Sequence, residues 1–322
     1  MKLEELRKFA QAVQGLQGEQ VHQKMQMLIT EMGLDPNNLY QELEMSSPYV
    51  DTHRDISYSN AHLHLHSHTF YELLYCTSTC GAEYLVGSER YRLQKGDLVF
   101  VPPGVSHRPL LPEKMDTPYQ RYVLWLSPEF MEQYAKLFSY PFTDKQTRAG
   151  MLRLNDGKWQ TIGELFRAGV QESETHADGW EAAVVGNTIT LLTQIKRATD
   201  DRSARELQAE KPDLLDRIMA YVEKNYASPI GIDDLAKKFF VSSSTVSHLF
   251  KQKLGVSFYR YVTQRRLIAA KTLIEKGRRL EEVASQTGFS DYSGFYRSFK
   301  KEYGISPRQY RTLQETESPI VG

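Results

Sequence analysis

The sequence predicts an α+β protein. An N-terminal β-barrel with flanking helices is joined to an all-α C-terminal domain containing two helix–turn–helix units. Three observations predict this. Residues 50–126 hold short runs rich in β-branched and aromatic residues, punctuated by Gly and Pro. Residues 213–312 contain an internal repeat at an offset of 49 positions. Charge divides the chain along the same line: residues 211–322 carry 19 Lys/Arg and 12 Asp/Glu, a net of +7, and the rest carries a net of −7. A neutral chain with a basic C-terminal third fits a nucleic-acid-binding module attached to something else. A solvated basic face is the plainer reading of charge alone.

At ~150 residues per domain, 322 residues suggest two domains. With 40% hydrophobic and 25% charged residues, a disordered or collagen-like chain is excluded. No run of 18 apolar residues occurs, so no membrane span is expected. The charged start Met1-Lys2-Leu3-Glu4-Glu5 does not resemble a secretory signal. Cys76 and Cys80 cannot form a disulfide framework and make no Cys-x-x-Cys, so the expected place is a reducing cytoplasm.

Residues 1–47 read as a helical extension, with Leu3, Leu6, Phe9, Ala10, Val13 and Leu16 forming an amphipathic stripe. Residues 48–126 read as the barrel, with strands around 71–75, 83–86 and 97–101. Residues 127–199 turn helical, with helices expected over 159–174 and 180–197. The second has apolar residues on more than one side, as a helix buried on two faces would. That makes 127–199 a candidate dimerisation region and the protein a candidate homodimer. Residues 200–212 hold almost no large apolar residue and read as an exposed linker. Residues 313–322 read as a tail.

The repeat over 213–312 aligns Leu249–Ser257 with Ser298–Ser306, and Tyr261 with Tyr310. Upstream, Leu235-Ala236 aligns with Val283-Ala284 at an offset of 48, so the second copy has one extra turn residue, Ser290. Each copy reads helix–turn–helix. Ser242 and Asp291 are N-caps for the second helices, whereas Arg279 is a poor cap for the second copy's first helix. The second helix of such a unit lies in the DNA major groove, so its outward face must carry donors. The first copy offers Ser243, Ser244, Ser247, His248 and Lys251; the second offers Tyr292, Ser293, Tyr296, Arg297 and Lys300. Arg297 is the best single base reader, since a guanidinium can bond guanine O6 and N7 together. A phosphate contact or salt bridge is its alternative role, and Lys251 and Lys300 suit phosphates. Between the units, residues 257–275 read as one helix of ~28 Å. Set against ~34 Å per turn of DNA, that could place two reading helices in successive grooves.

The stretch Val241-Ser242 through Arg260-Tyr261, then Arg266-Leu267-x-x-Ala270, Val283-Ala284, Gly288-Phe289-Ser290-Asp291, Phe295, Phe299-Lys300, Gly304, Pro307 and Tyr310-Arg311, resembles the AraC/XylS family of transcription regulators over about a hundred residues. The resemblance implies binding to double-stranded promoter DNA and activation through RNA polymerase. It places base contacts on Ser244, Ser247, His248, Ser293 and Arg297.

A second constellation is His62-Leu63-His64-Leu65-His66-Ser67-His68, followed by Glu72. Along an unbroken strand these even-numbered residues would share a face. With Gly96, Pro102, Gly104 and His107, the segment resembles the cupin barrel, and that resemblance implies His66, His68, Glu72 and His107 as ligands of one divalent metal. Such a set suits Fe(II), Mn(II), Ni(II) or Zn(II). The glycine after Glu72 comes late, at Gly81, and no Asn follows His107, unlike the cupin enzymes. The sequence establishes no cofactor; a divalent metal is the one candidate. The reading preferred here makes these groups the polar lining of a small-molecule effector pocket, with Tyr75, Tyr84 and Trp125 as aromatic walls. An aromatic and polar lining suits a sugar. Hydrogen-bonded core histidines are the plainer alternative.

A ligand-responsive transcription regulator that is not an enzyme is thus the leading expectation. A metal-dependent cupin enzyme fused to a DNA-binding module is the alternative. A DNA-repair methyl acceptor is excluded by the lack of a zinc-binding cysteine cluster.

Overall fold

A computed structural model of the chain describes Met27 and residues 45–58, 65–112, 114–138, 150–154, 157–201, 205–206 and 211–317. The expected helix over 1–47, apart from Met27 and 45–47, lies outside the described residues, as do His62, His64 and 318–322. The chain divides into two compact units, one chiefly of residues 67–210 with the strand segment before them, the other chiefly of residues 211–322.

Among the described residues the first unit has nine strands in two antiparallel sheets. In chain order these are β1 (Val50–Ser57), β2 (Tyr71–Cys76), β3 (Glu83–Val86), β4 (Glu89–Arg92), β5 (Asp97–Val101), β6 (His107–Leu110), β7 (Tyr119–Leu126), β8 (Gly150–Arg153) and β9 (Arg205–Glu206). The larger sheet has the order β1-β7-β2-β5-β8-β9 and the smaller β4-β3-β6. Alternation sorts the side chains. Leu74, Cys76, Tyr84, Val86, Val99, Val101, Val123 and Trp125 fill the space between the sheets. Leu73, Leu98, Phe100, Leu124 and Leu126 point to the other side of the larger sheet.

Helices cover that outer side. They are α1 (Pro128–Phe138), α2 (Gln160–Thr175) and α3 (Trp180–Asp200). Ile162, Phe166, Val184, Leu191, Leu192 and Ile195 pack there, as expected for two helices seated on the barrel. β8 and β9 were not anticipated. They fall inside the region expected to be helical and inside the expected linker, where β9 pairs with β8. Their signal is too short to read: β8 holds two apolar residues, Met151 and Leu152, and is fixed by Arg153, which clasps buried Asp97 of β5 at 2.8 and 2.9 Å.

The second unit is all helical: α4 (Leu214–Asn225), α5 (Ile232–Lys238), α6 (Ser243–Leu249), α7 (Phe258–Glu275), α8 (Leu280–Gln286), α9 (Tyr292–Tyr303) and α10 (Pro307–Glu317). A π-helical turn, Phe250–Leu254, continues α6. Val246, Phe250, Phe258 and Tyr261 are buried in the first helix–turn–helix unit. Leu267, Ile274, Val283, Phe295 and Phe299 form the core of the second. The caps read from the sequence are present. Ser242 accepts from Thr245 N and Asp291 from Gly294 N, while Arg279 makes no side-chain cap bond; Ser257, not read as a cap, accepts from Arg260 N. α4 adds a reciprocal capping box between Asp213 and Asp216 that the sequence reading overlooked.

No helix among the described residues is long and apolar enough to cross a membrane.

Candidate nucleic-acid interface and effector site

α5–α6 and α8–α9 make the two helix–turn–helix units, joined by α7. Its 18 residues span ~27 Å at 1.5 Å per residue. On α6, Ser244, Ser247 and His248 are exposed, as is Lys251 in the π-turn. Ser243 differs: it is half-buried and its hydroxyl donates to Asp233 of α5, so it holds the unit together instead of facing outward. On α9, Ser293, Arg297 and Lys300 are exposed. Tyr292 and Tyr296 are half-buried, and Tyr292 packs on Phe295 at 5.9 Å between ring centres. Hydrogen bonding to the Gly294 amide and to Ser290 holds the exposed Asp291 carboxyl below its ordinary range, as an N-cap should be.

Polar contacts tie α7 to α4, and the turn of the second unit packs against the end of α4. Arg266 donates from Nε to Tyr226 O at 2.8 Å and from a terminal nitrogen to Ser228 O at 3.0 Å, closing the end of α4. Gly288 in the second turn sits against the same place: a β-carbon there would lie 2.7 Å from the carbonyl oxygens of Tyr226 and Ala227. Arg265 forms an ion pair with Glu223 at 2.5 Å.

In the first unit, Glu72 lies on β2 opposite Trp125 of β7 and Val101 of β5. The Trp125 indole N–H donates to Glu72 Oε1 at 2.9 Å. Glu72 Oε2 lies 3.0 Å from His107 Nε2 and 3.6 Å from His68 Nε2. The opposite ring nitrogens are engaged by the backbone, His107 Nδ1 with Val105 O at 2.9 Å and His68 Nδ1 with Phe70 O at 2.7 Å. A carbonyl only accepts, so each Nδ1 carries a proton. A hydrogen bond from either Nε2 to the carboxylate therefore needs a second proton on that ring. Burial alone would raise the Glu72 carboxyl; hydrogen bonds from His107 and His68 and their charge hold it well below the usual range. Burial pushes His68 down.

The structure brings His68, Glu72, His107 and Trp125 together between the sheets. Tyr84 joins them, its ring 6.3 Å from that of His107. His66, Glu72 and His107 place one ligand atom each within 4.8 Å of one another. The expected unbroken strand through His62–Glu72 is not present: among residues 65–70 only His66 makes a β-bridge, and β2 starts at Tyr71. Shared parity along one strand therefore does not explain the cluster, since the chain bends at 69–70 between His68 and β2.

Tyr75 is elsewhere. As an odd-numbered residue on β2 it faces away from Glu72, stacks on Phe166 of α2 at 5.5 Å and abuts Gly163. It is part of the sheet–helix packing and not a wall of the inner cluster. Residues not singled out from the sequence take that role. His53 of β1 meets Trp125 edge-on at 4.8 Å. Arg121 of β7 bonds Asp55 at 2.7 Å and Ser57 at 3.2 Å and lies over the Tyr119 ring. The signal was available, since Arg121 shares parity with Trp125 on one strand.

A family model for an AraC-like ligand-binding domain matches residues 47–178, and one for a helix-turn-helix domain matches residues 235–312. The chain is 28% identical over 248 residues to the HTH-type transcriptional activator RhaS of Salmonella arizonae, covering 76% of this chain and 86% of that protein. Among solved structures, the C-terminal domain of the response regulator yesN from Fusobacterium nucleatum is 35% identical, with a TM-score of 0.29, over 30% of this chain and 94% of that one. ToxT from Vibrio cholerae is 11% identical, with a TM-score of 0.33, over 82% of this chain and 97% of that one. TM-scores this low add nothing to the family models.

Proposed function

This chain belongs to the AraC/XylS family of transcription regulators, and on that premise we propose that it is an effector-responsive activator. The observation that carries the reading is the pair of capped reading helices, α6 and α9, set on one 18-residue helix. DNA is read by Ser244, Ser247 and His248 of the first unit and by Ser293 and Arg297 of the second, with Lys251 and Lys300 on phosphates. RNA polymerase is the partner of the DNA-bound protein. The likeness to a protein named a transcriptional activator supports that sign and gives no support to an enzyme.

The expected result for Arg297→Ala is a loss of ~1–3 kcal/mol on the selected site and relaxed preference at one base pair. It is measured by titrating the full chain with duplexes varied position by position. An equal loss on every sequence would assign Arg297 to phosphate. Wild-type affinity should fall steeply with salt, because each neutralised phosphate releases counterions.

The effector site is the cluster of His68, Glu72, Tyr84, His107 and Trp125. Its mix of aromatic faces with buried donors and acceptors suits a sugar. A divalent cation is a second occupant, because His107 Nε2 and a Glu72 oxygen converge on a space that wants positive charge, with His66 and His68 beside it. When bound, the ion would neutralise the carboxylate; the residues themselves orient it through the Val105 and Phe70 carbonyls. Thermal shift of the full chain against sugars and divalent metals separates the two occupants, since a true ligand stabilises by linkage.

The dimer is proposed through α3. Its inner side packs on α2 and β1, while Ala182, Ala183, Gly186 and Thr190 are exposed on the other side. The full chain should sediment as a dimer at micromolar concentration, and Gly186→Glu should yield monomers. A wild-type monomer would refute the dimer, and a variant that stays dimeric would place the contact elsewhere.

A further inference from the structure

The turn of the first helix–turn–helix unit carries a residue that the reading faces do not use. Phe240 follows α5 and precedes the Ser242 cap of α6. Its ring is 93% exposed, more than any other large hydrophobic residue among those described. Its φ is +57°, and His176 is the only other non-glycine residue among those described with a positive φ. At the equivalent position of the second unit, 48 residues on, stands Gly288 with φ +83°.

Folding explains neither property. A β-carbon in the left-handed region is disfavoured, which is why glycine occupies the second turn. An exposed phenyl ring gains no burial. The neighbouring Phe239 does serve the fold: its ring meets Tyr221 at 6.1 Å and lies under the Arg217 guanidinium at 5.4 Å. Strain at a single outlier that packs on nothing points to a role outside the fold.

The surroundings indicate which role. Lys237 and Lys238 end α5 immediately before the turn, both exposed. Ser244 and Ser247 follow it on the exposed side of α6. The N-terminal residues of a reading helix are the ones that reach base edges, and Phe240 stands three residues ahead of the first of them. We propose that Phe240 is a DNA-contacting residue of the first unit, its ring seated on the apolar edge of a base pair, with the thymine methyl as its partner. This also answers a weakness of α6. Serines are small and accept many bases, so an apolar reader in the turn supplies discrimination that α6 lacks.

The proposal rests on the DNA-binding reading of the second unit, and its test separates the two. The full-length wild type is first used to select duplexes from a random-sequence library. Wild type and Phe240→Gly are then titrated with the selected duplex and with versions in which each thymine in turn is replaced by deoxyuridine, which removes only the methyl. Glycine suits the left-handed turn, so the melting temperature should be unchanged or higher. Phe240→Gly should bind the selected duplex several-fold more weakly. One thymine-to-uracil change should weaken wild type about fourfold, the worth of one methyl-sized group withdrawn from water, and should leave the variant unaffected. Equal affinity of the two proteins for the selected duplex and all its uracil forms would overturn the proposal and assign Phe240 to a protein contact. A wild type that selects no sequence would overturn the DNA reading and this proposal with it.

Discussion

Gly288→Ala is expected to lower the melting temperature of the helical unit by about 8–40 °C and to halve the DNA-binding fraction at that unit's new midpoint. Two effects add. The residue has φ +83°, where a β-carbon costs roughly 1–2 kcal/mol. The added methyl would also lie 2.7 Å from two backbone carbonyl oxygens, those of Tyr226 and Ala227. Backbone cannot swing aside as a flexible side chain can, so the overpacking costs roughly 1–3 kcal/mol more. A total of ~2–5 kcal/mol is a large part of a small domain's stability. The place is also functional. Arg266 closes the end of α4 on the Tyr226 and Ser228 carbonyls, so pushing that segment away breaks two further bonds. Gly255→Ala is the control. It has φ +70° but nothing within 4 Å of the added carbon, so it carries the backbone cost alone. Calorimetry of both variants isolates the clash as their difference. If Gly288→Ala melts no lower than Gly255→Ala, the approach of the second turn to the end of α4 is not tight.

Gly288 also illustrates what could be read in advance. Its repeat position, the caps at Ser242 and Asp291 and the long α7 were legible because each depends on local rules of three to four residues. So were three strands of the barrel, β2, β3 and β5, and two of the helices that cover it, α2 and α3. What was not legible depended on geometry between distant segments. β8 and β9 are short and become strands only because β5 offers an edge, with Asp97 to hold Arg153. Ser243 reads as a donor on the outward face of its helix, yet Asp233, ten residues back on another helix, takes its hydroxyl. Tyr75 could have been excluded from the inner cluster by parity alone, because Glu72 and Tyr75 differ by an odd number on one strand. His68 and Glu72 do converge, but across the bend at 69–70 and not along a continuous strand.

Glu72→Ala is expected to destabilise the barrel unit by roughly 3–5 kcal/mol, the cost of breaking a buried charge pair by removing one partner. Glu72 Oε1 is the acceptor for the Trp125 indole, and Oε2 faces two imidazoles at 3.0 and 3.6 Å. Alanine leaves that indole N–H and both Nε2 atoms without the carboxylate, along with a cavity between the sheets. Glu72→Gln should cost much less. Its amide oxygen still accepts from Trp125, and its NH₂ donates toward the imidazole Nε2 atoms, whose Nδ1 protons are already committed to Val105 and Phe70. The pH dependence distinguishes the two forms. His68 is pushed below 6.5 in the folded state, so from about pH 6.5 downward the unfolded chain takes up a proton that the folded one refuses, and stability falls. Glu72 is held well below 4.5, so its contribution is present above that pH and is lost as pH falls further toward its folded value. Wild type should therefore lose stability in two stages on acidification. Glu72→Gln should keep the first stage, set by His68, and lose the second. Melting temperatures of the barrel transition across pH 3–8 test this, with divalent metals and sugars added at neutral pH. Loss of a metal-induced shift in Glu72→Gln with retention of a sugar-induced one would separate the carboxylate's charge from its hydrogen bonding. An acid profile of Glu72→Gln that matches wild type below pH 4.5 would show that the carboxylate is not the group held down by the histidines. A Glu72→Ala variant as stable as wild type would show that the cluster contributes nothing to the barrel's stability.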